Sequence, residues 1–249
     1  MATIGIFDSG SGGLSVYREI IKLLPQEKYI YFADNAFCPY GEKSAEAIQD
    51  RARTITDILL GMGADIIVVA CNTATAAAIA TLRDEYPDVP FVGMEPAVKP
   101  AALGTQTGVI GVLATAGTLK GSKYLKMRGR FEDDVRIVEH VGEGFVELVE
   151  NGILDGPEAY ETVRASLQPL LDEGADRIVL GCTHYPFLKP VIEAIAGSGA
   201  EVIDPAPAVA SQTVRMLEMG GIPTGKGPFS IDLYCSGDPE SLRRIFNLL

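Results

Sequence analysis

The sequence predicts an α/β protein of two similar lobes, each a mainly parallel sheet flanked by helices. Three observations carry that expectation. Strand-length apolar runs alternate with helical stretches from end to end, the pattern of parallel βαβ units. The segment Gly63-Ala64-Asp65-Ile66-Ile67-Val68-Val69-Ala70-Cys71-Asn72-Thr73 returns without a gap as Gly174-Ala175-Asp176-Arg177-Ile178-Val179-Leu180-Gly181-Cys182-Thr183-His184, at a spacing of 182 − 71 = 111 positions. The opening Ile4-Gly5-Ile6-Phe7-Asp8-Ser9 is echoed more weakly by Ile110-Gly111-Val112-Leu113-Ala114-Thr115, 110 − 4 = 106 positions later. Internal repetition outranks local readings, because each copy implies one folding unit. The 249 residues are too many for one typical domain and comfortable for two.

In chain order, Thr3 to Phe7 reads as a strand and Leu14 to Leu24 as a helix, joined by Asp8-Ser9-Gly10-Ser11-Gly12-Gly13. That turn is not a dinucleotide fingerprint, which needs glycine at Ser15. It is not a P-loop, which needs lysine, nor a phosphotransfer motif, which needs a second acid at Gly10. It offers a carboxylate, Asp8, beside backbone N–H donors; a helix-capping role for Asp8 fits as well. Tyr29 to Ala33 is a strand, and Asp34 to Gly41 a polar, aromatic loop. Ser44 caps a helix to about Met62, ended by Gly61 and Gly63. The strand Ile66 to Ala70 stops on Cys71, and a helix begins near Ala74. Pro90 to Gly93 is a short strand. Glu95 to Pro100 breaks the pattern and sets the boundary: residues 1–94 with 208–249 form the first lobe, 95–207 the second.

The second lobe opens with the strand Thr107 to Leu113. A helix follows from Ala114 to about Arg128, weakened by Gly117 and Gly121. Val135 to Glu139 is a strand. Over residues 144–152 a helix puts Phe145, Leu148 and Val149 on one face and leaves Glu150 off it. A helix from Pro157 to about Glu173 is kinked or shortened at Pro169. The repeated strand ends at Cys182, helix resumes at Tyr185, and Glu201 to Ile203 is a strand. Then come a helix Ala208 to Met219, a loop Gly220 to Gly227, a strand Phe229 to Cys235 and a last helix from Asp238. This final β–α unit is expected to return to the first lobe.

Composition narrows the function. With 33 acidic against 21 basic residues the net charge is −12, which argues against nucleic acid. No apolar run reaches the ~20 residues that cross a bilayer. The start carries no basic region or cleavage-type site, so the cytoplasm is expected. The cysteines at 38, 71, 182 and 235 have neither disulfide-framework nor zinc spacing. Cys38 and Cys235 read as ordinary thiols. Cys71 and Cys182 stand at strand ends, where α/β sheets bind ligands. If the lobes face each other, these two thiols flank one cleft. Taken singly, each could be an inert buried thiol.

The stretches Asp8-Ser9-Gly10 with Gly12-Gly13, Pro39-Tyr40-Gly41, Cys71-Asn72-Thr73, Phe145-Val146 with Leu148-Val149-Glu150, and Cys182-Thr183-His184-Tyr185-Pro186 together resemble the glutamate racemases. The likeness covers nearly the whole chain. It implies two α/β domains related by a pseudo-twofold with the active site in the cleft between them, usually in a homodimer. It implies interconversion of L- and D-glutamate without cofactor or metal, supplying D-glutamate for peptidoglycan. By the same resemblance Cys71 and Cys182 are the acid/base residues, with Cys71 serving D-glutamate and Cys182 L-glutamate. Asp8 and His184 assist them, Glu150 is a carboxylate at the site, and Asp8, Ser9, Tyr40, Gly41, Asn72, Thr73, Thr183 and His184 bind substrate. One departure is Gly142-Glu143, where the family often has Cys-Pro.

The residues support such chemistry. Inverting a stereocentre by proton transfer needs a base on one face and an acid on the other. An ordinary thiol near pKa ~8.5 is only a few per cent ionised at neutral pH. Asp8 near Cys71 and His184 near Cys182 could each accept a proton. Backbone N–H groups after Asp8, Cys71 and Cys182 could stabilise the enolate-like charge. Three other readings stay open: a racemase for aspartate or another amino acid, a thiol hydrolase using Cys182 and His184, and a non-catalytic amino-acid-binding protein.

Overall fold

Asp65 and Asp176, the matched acids of the repeat, show why the repeat exists. In a computed structural model that describes residues 1–225 and 227–249, each ties a helix-to-strand turn to the start of the neighbouring strand or to the turn that leads into it. The Asp65 carboxylate accepts from Thr3 N–H at 2.7 Å; the Asp176 carboxylate accepts from Gln106 N–H at 2.6 Å and Thr107 N–H at 3.1 Å. The preceding glycines take φ of 87° at Gly63 and 84° at Gly174, a left-handed turn closed to most side chains.

The first sheet contains β1 (Thr3–Asp8), β2 (Lys28–Ala33), β3 (Ile66–Val69), β4 (Phe91–Gly93) and β9 (Ser230–Cys235), in the order β4-β3-β1-β2-β9. The second contains β5 (Val109–Ala114), β6 (Arg136–Val141), β7 (Arg177–Gly181) and β8 (Glu201–Ile203), in the order β6-β5-β7-β8. Every pairing is parallel. Reversed, the second order is β8-β7-β5-β6, which superposes on β4-β3-β1-β2. The repeat is therefore topological as well as sequential, with β9 added to one copy.

The helices are α1 (Leu14–Leu23), α2 (Ala45–Gly61), α3 (Asn72–Glu85), α4 (Val98–Gly104), α5 (Ala116–Lys120), α6 (Ser122–Arg128), α7 (Phe145–Glu150), α8 (Pro157–Asp172), α9 (Lys189–Ala196), α10 (Ala206–Met219) and α11 (Pro239–Phe246). They cover both faces of each sheet, so β3 is buried throughout and reads as a continuous apolar run. Alternate residues serve different cores: Ile66 and Val68 pack in one with Ile4, Ile6 and Tyr31, Ile67 and Val69 in another with Phe7, Ile55 and Leu59. Among the described residues no helix is long and apolar enough to cross a membrane.

Four local expectations change. The break at Glu95–Pro100 leads into α4, where Pro100 stands in the first turn and removes an N–H that has no helical partner. The helix from Ala114 to Arg128 divides at Gly121 into α5 and α6, because Gly121 takes extended ψ of 135°. Helix α8 runs through Pro169 without ending there; Pro169 and Ala165, whose carbonyl loses its partner, both face solvent. Helix α3 starts at Asn72 rather than Ala74, so Cys71 is its N-cap. The loop expected over 220–227 includes Lys226, which lies outside the described residues.

Candidate active site

The register of the sheets brings the site together. β1 and β3 pair Phe7 with Val69, which leaves Ser9 beside Cys71 where the strands end. β5 and β7 pair Ala114 with Gly181, which leaves Thr115 beside Cys182. Both cysteines line one narrow cavity with ≈ 290 Å³ of space between protein atoms, together with Ser9, Tyr40, Asn72, Thr73, Thr183 and His184. Gly41, Pro39, Thr115 and Val146 complete the wall.

On the Cys71 side the sulfur accepts the N–H of Ala74 at 3.4 Å and donates its own proton toward Ser9 Oγ at 3.8 Å. Burial, reinforced by the Asp8 carboxylate, pushes the Cys71 thiol up to about 12. Asp8 makes no hydrogen bond to Cys71. It accepts from Gly10 N–H and from Thr183 Oγ1, both at 3.1 Å, so it reaches toward the motif of the other cysteine. Burial raises the Asp8 carboxyl above the ordinary range against the pull of His184 and the Gly10 N–H, making it a stronger base than a surface carboxylate.

On the Cys182 side a chain of contacts runs outward. Cys182 Sγ lies 3.7 Å from His184 Nδ1, and His184 Nε2 lies 2.7 Å from Glu150 Oε1. The same carboxylate oxygen accepts from Ser11 N–H at 2.8 Å and Ser11 Oγ at 2.9 Å, and Oε2 accepts from Ser241 Oγ of α11. Burial would raise Glu150, but the hydrogen bond and charge of His184, with Ser241 and Ser11, bring it down to about 2. Burial opposes an imidazolium at His184, yet the Cys182 sulfur and the Glu150 carboxylate outweigh it and hold that group well above the usual imidazole range. The two thiols therefore sit in unlike fields: one beside an anion, the other beside a cation.

Glu150, off the apolar stripe of α7, is turned into the molecule rather than left in solvent, because His184, Ser11 and Ser241 all point at it. Tyr40 lines the cavity with its ring, but its hydroxyl donates to Asp34 Oδ2 at 2.5 Å. Asp34 is itself clamped by Arg51 at 2.9 and 2.6 Å. Thr73 Oγ1 meets Thr115 Oγ1 at 2.9 Å and Thr118 Oγ1 at 3.3 Å across the cavity. Asn72 is different: both polar atoms of its side-chain amide are buried without a protein partner. A buried amide so placed lacks hydrogen bonds that a polar ligand can supply. Ser11, Ser241 and Thr115 were not among the expected site residues. Ser11 lies within the flagged Gly-rich turn, whereas Ser241 is 241 − 150 = 91 positions from its partner and carries no local signal.

A sequence profile of the Asp/Glu/hydantoin racemases matches residues 4–213. A glutamate racemase from Ectopseudomonas mendocina is 48% identical over 248 residues, covering 100% of this chain and 94% of that one. The crystal structure of a glutamate racemase from Bacillus anthracis superposes with a TM-score of 0.89 at 33% identity, covering 99% of this chain and 93% of the other. The Escherichia coli glutamate racemase, solved with L-glutamate and the activator UDP-MurNAc-Ala, superposes with a TM-score of 0.87 at 35% identity, covering 99% and 93%. The chain belongs to the Asp/Glu/hydantoin racemase family, and within it to the glutamate racemases.

Proposed function

We propose that this chain interconverts L- and D-glutamate by two-base proton transfer at the α-carbon, with Cys71 and Cys182 as the opposed acid and base. The observation that carries the reading is the pair of buried thiols, each at the equivalent strand end of a repeated lobe, lining one cavity. Cys182 takes the proton from L-glutamate and Cys71 returns one from the other face; the reverse run starts at Cys71. The imidazolium of His184 supports a thiolate at Cys182. The raised Asp8 carboxyl is the acceptor on the Cys71 side.

The substrate's charges need local partners, since the chain is acidic. The N-terminus of the 14-residue α3 presents backbone N–H groups at Asn72 and Thr73 beside the unpartnered Asn72 amide. This is a setting for a carboxylate and for the charge that builds on it as the α-proton leaves. Ser9, Thr73, Thr183 and the wall at Tyr40 and Gly41 complete the substrate shell. Glutamate is the substrate favoured by the identity to glutamate racemases.

The product D-glutamate serves peptidoglycan synthesis. We place the reaction in the cytoplasm and the chain in a homodimer. We read residues 1–94 with 208–249 as one lobe and 95–207 as the other, which the pairing of β9 with β2 supports.

The deciding experiment incubates L-glutamate with reduced protein in D2O and follows chirality and α-deuterium together. D-glutamate carrying deuterium is expected. Folded protein that yields neither exchange nor inversion would sink the proposal; exchange of aspartate in preference to glutamate would reassign the substrate.

Gly12 gives a separate test. A Cβ at this position would overlap the His184 imidazole, which is only 1% exposed and has nowhere to move. Gly12→Ala is expected to displace the ring and lower kcat about 10²-fold, at a stability cost of about 1–3 kcal/mol. Paired turnover and urea-denaturation measurements check this. A variant with normal turnover would show that the His184 position is not critical.

A further inference from the structure

One thiol beside the site has no part in these proton transfers. Cys38, in the turn after β2, is half-buried, and its sulfur lies with one carboxylate oxygen of Glu150 and one ring nitrogen of His184 such that the three atoms are within 4.8 Å of one another. Gly10 marks the shared space: a Cβ there would touch both the Glu150 carboxylate and Cys38 Sγ. Three donors of three types converge from three separate segments: the turn after β2, the end of α7, and the turn after β7.

We propose that Cys38, Glu150 and His184 form an inhibitory site for a thiophilic divalent ion of the zinc type. The inhibitory part rests on the role proposed above for His184; the binding part does not.

The donor set selects the ion. Sulfur, imidazole and carboxylate together suit zinc or cobalt, while magnesium and calcium favour all-oxygen shells. Zinc holds such donors at about 2.0–2.3 Å in a tetrahedron, so the site closes when the Cys38 sulfur moves in by roughly 1 Å and Nε2 and the carboxylate oxygen part to about 3.3 Å, leaving a fourth position open. On binding, a metal–sulfur bond forms as Cys38 releases its proton to solvent. A metal–nitrogen bond forms as His184 Nε2 gives up its proton, and a metal–oxygen bond to Glu150 replaces the hydrogen bond now at 2.7 Å. No atom changes oxidation state.

The site has an approach and a supporting shell. Cys38 and Glu150 both line an open cleft whose rim carries Glu147, Asp238 and Glu240 against one cation, Arg244. That rim draws a divalent cation inward. Ser11 and Ser241 already hold the Glu150 carboxylate, as ligating carboxylates are held in metal centres. Once the ion takes Nε2 and the Glu150 carboxylate, the imidazolium beside Cys182 and the anion that holds it are both lost, and racemisation stops.

The test uses metal-free protein kept reduced without thiols. Cobalt(II) is titrated and the thiolate-to-cobalt charge-transfer band recorded; zinc is titrated against racemisation, with magnesium as the control ion. The wild type is expected to show the band and to lose activity to zinc but not to magnesium. Cys38→Ala is expected to keep basal activity, lose the band and need about 10–100-fold more zinc for half-inhibition. A band or a zinc sensitivity unchanged in Cys38→Ala would put the ion on the catalytic thiols and overturn the proposal, as would a wild type without the band. Bound ion with undiminished turnover would overturn the inhibitory part. The band is read without substrate, so it reports the site even for a chain that fails to racemise glutamate.

Discussion

Cys71→Ser and Cys182→Ser are each expected to lower the racemisation rate about 10³–10⁴-fold, near the upper end of what one positioned acid or base supplies. Both substitutions nearly preserve shape, so the loss is chemical. At position 71 the fold is protected in a specific way. Cys71 caps α3 by accepting the Ala74 N–H, and serine is a better N-cap than cysteine. Cys71→Ser should therefore melt no earlier than the wild type while losing turnover. The variants also separate the two faces of the reaction. With Cys182 alone, L-glutamate still gains some α-deuterium from D2O without inverting; with Cys71 alone, D-glutamate does. Either variant inverting both enantiomers at more than about a tenth of the wild-type rate would end the two-base assignment. A thiol hydrolase built on Cys182 and His184 predicts the opposite for Cys71→Ser, since it gives Cys71 no work.

The 111-residue echo carried the fold because the parts that recur are structural. Gly63 and Gly174 turn the chain, and Asp65 and Asp176 fasten the next strand; these needs are local and identical in both lobes. The strand order follows, with β4-β3-β1-β2 matched by β8-β7-β5-β6. The cysteines were legible for the same reason, as they follow strands whose ends the repeat fixes. What could not be read were the partners. The resemblance paired Asp8 with Cys71; the Asp8 carboxylate also accepts from Thr183 of the facing lobe at 3.1 Å, a contact 175 positions away in sequence. Glu150 looked like a surface residue by helical periodicity. Periodicity reports only the apolar face, and Glu150 is held by three polar groups from three distant segments. Tyr40 shows the converse: its position at the wall was expected, but its hydroxyl is committed to Asp34 and Arg51 behind it. Site contacts between lobes have no sequence spacing to betray them. The resemblance supplied those residues; the geometry supplies their partners.

Glu150→Gln is expected to lower turnover about 10²-fold, and to do so on one face only. Glutamine keeps the shape of the carboxylate but removes the charge that holds the His184 imidazolium, so proton abstraction by Cys182 slows. This asymmetry cannot appear in kcat/KM. The equilibrium constant between enantiomers in water is one, so kcat/KM must fall equally in both directions. It appears instead in isotope effects: the effect on α-deuterated L-glutamate should rise toward its full value while that on α-deuterated D-glutamate falls toward one, because the Cys182 step then limits both directions. Equal isotope effects from both enantiomers would mean that Glu150 acts on the whole site rather than through His184.

Stability gives an independent signature. Glu150 falls from 4.5 to about 2, so its contribution is present above about pH 4.5 and is lost as pH falls toward 2. His184 is raised above 6.5, so its contribution is complete below that pH and is lost as pH rises through its folded value. The pair is therefore strongest between the two. At about 1.4 kcal/mol per tenfold, the Glu150 shift corresponds to roughly 3 kcal/mol. Urea denaturation should show Glu150→Gln destabilised by about that much near pH ~5.5, with the gap from the wild type closing toward pH ~2.5. A gap that stayed constant with pH would mean that the substitution harms packing alone, and the one-face kinetic result would then lose its electrostatic explanation.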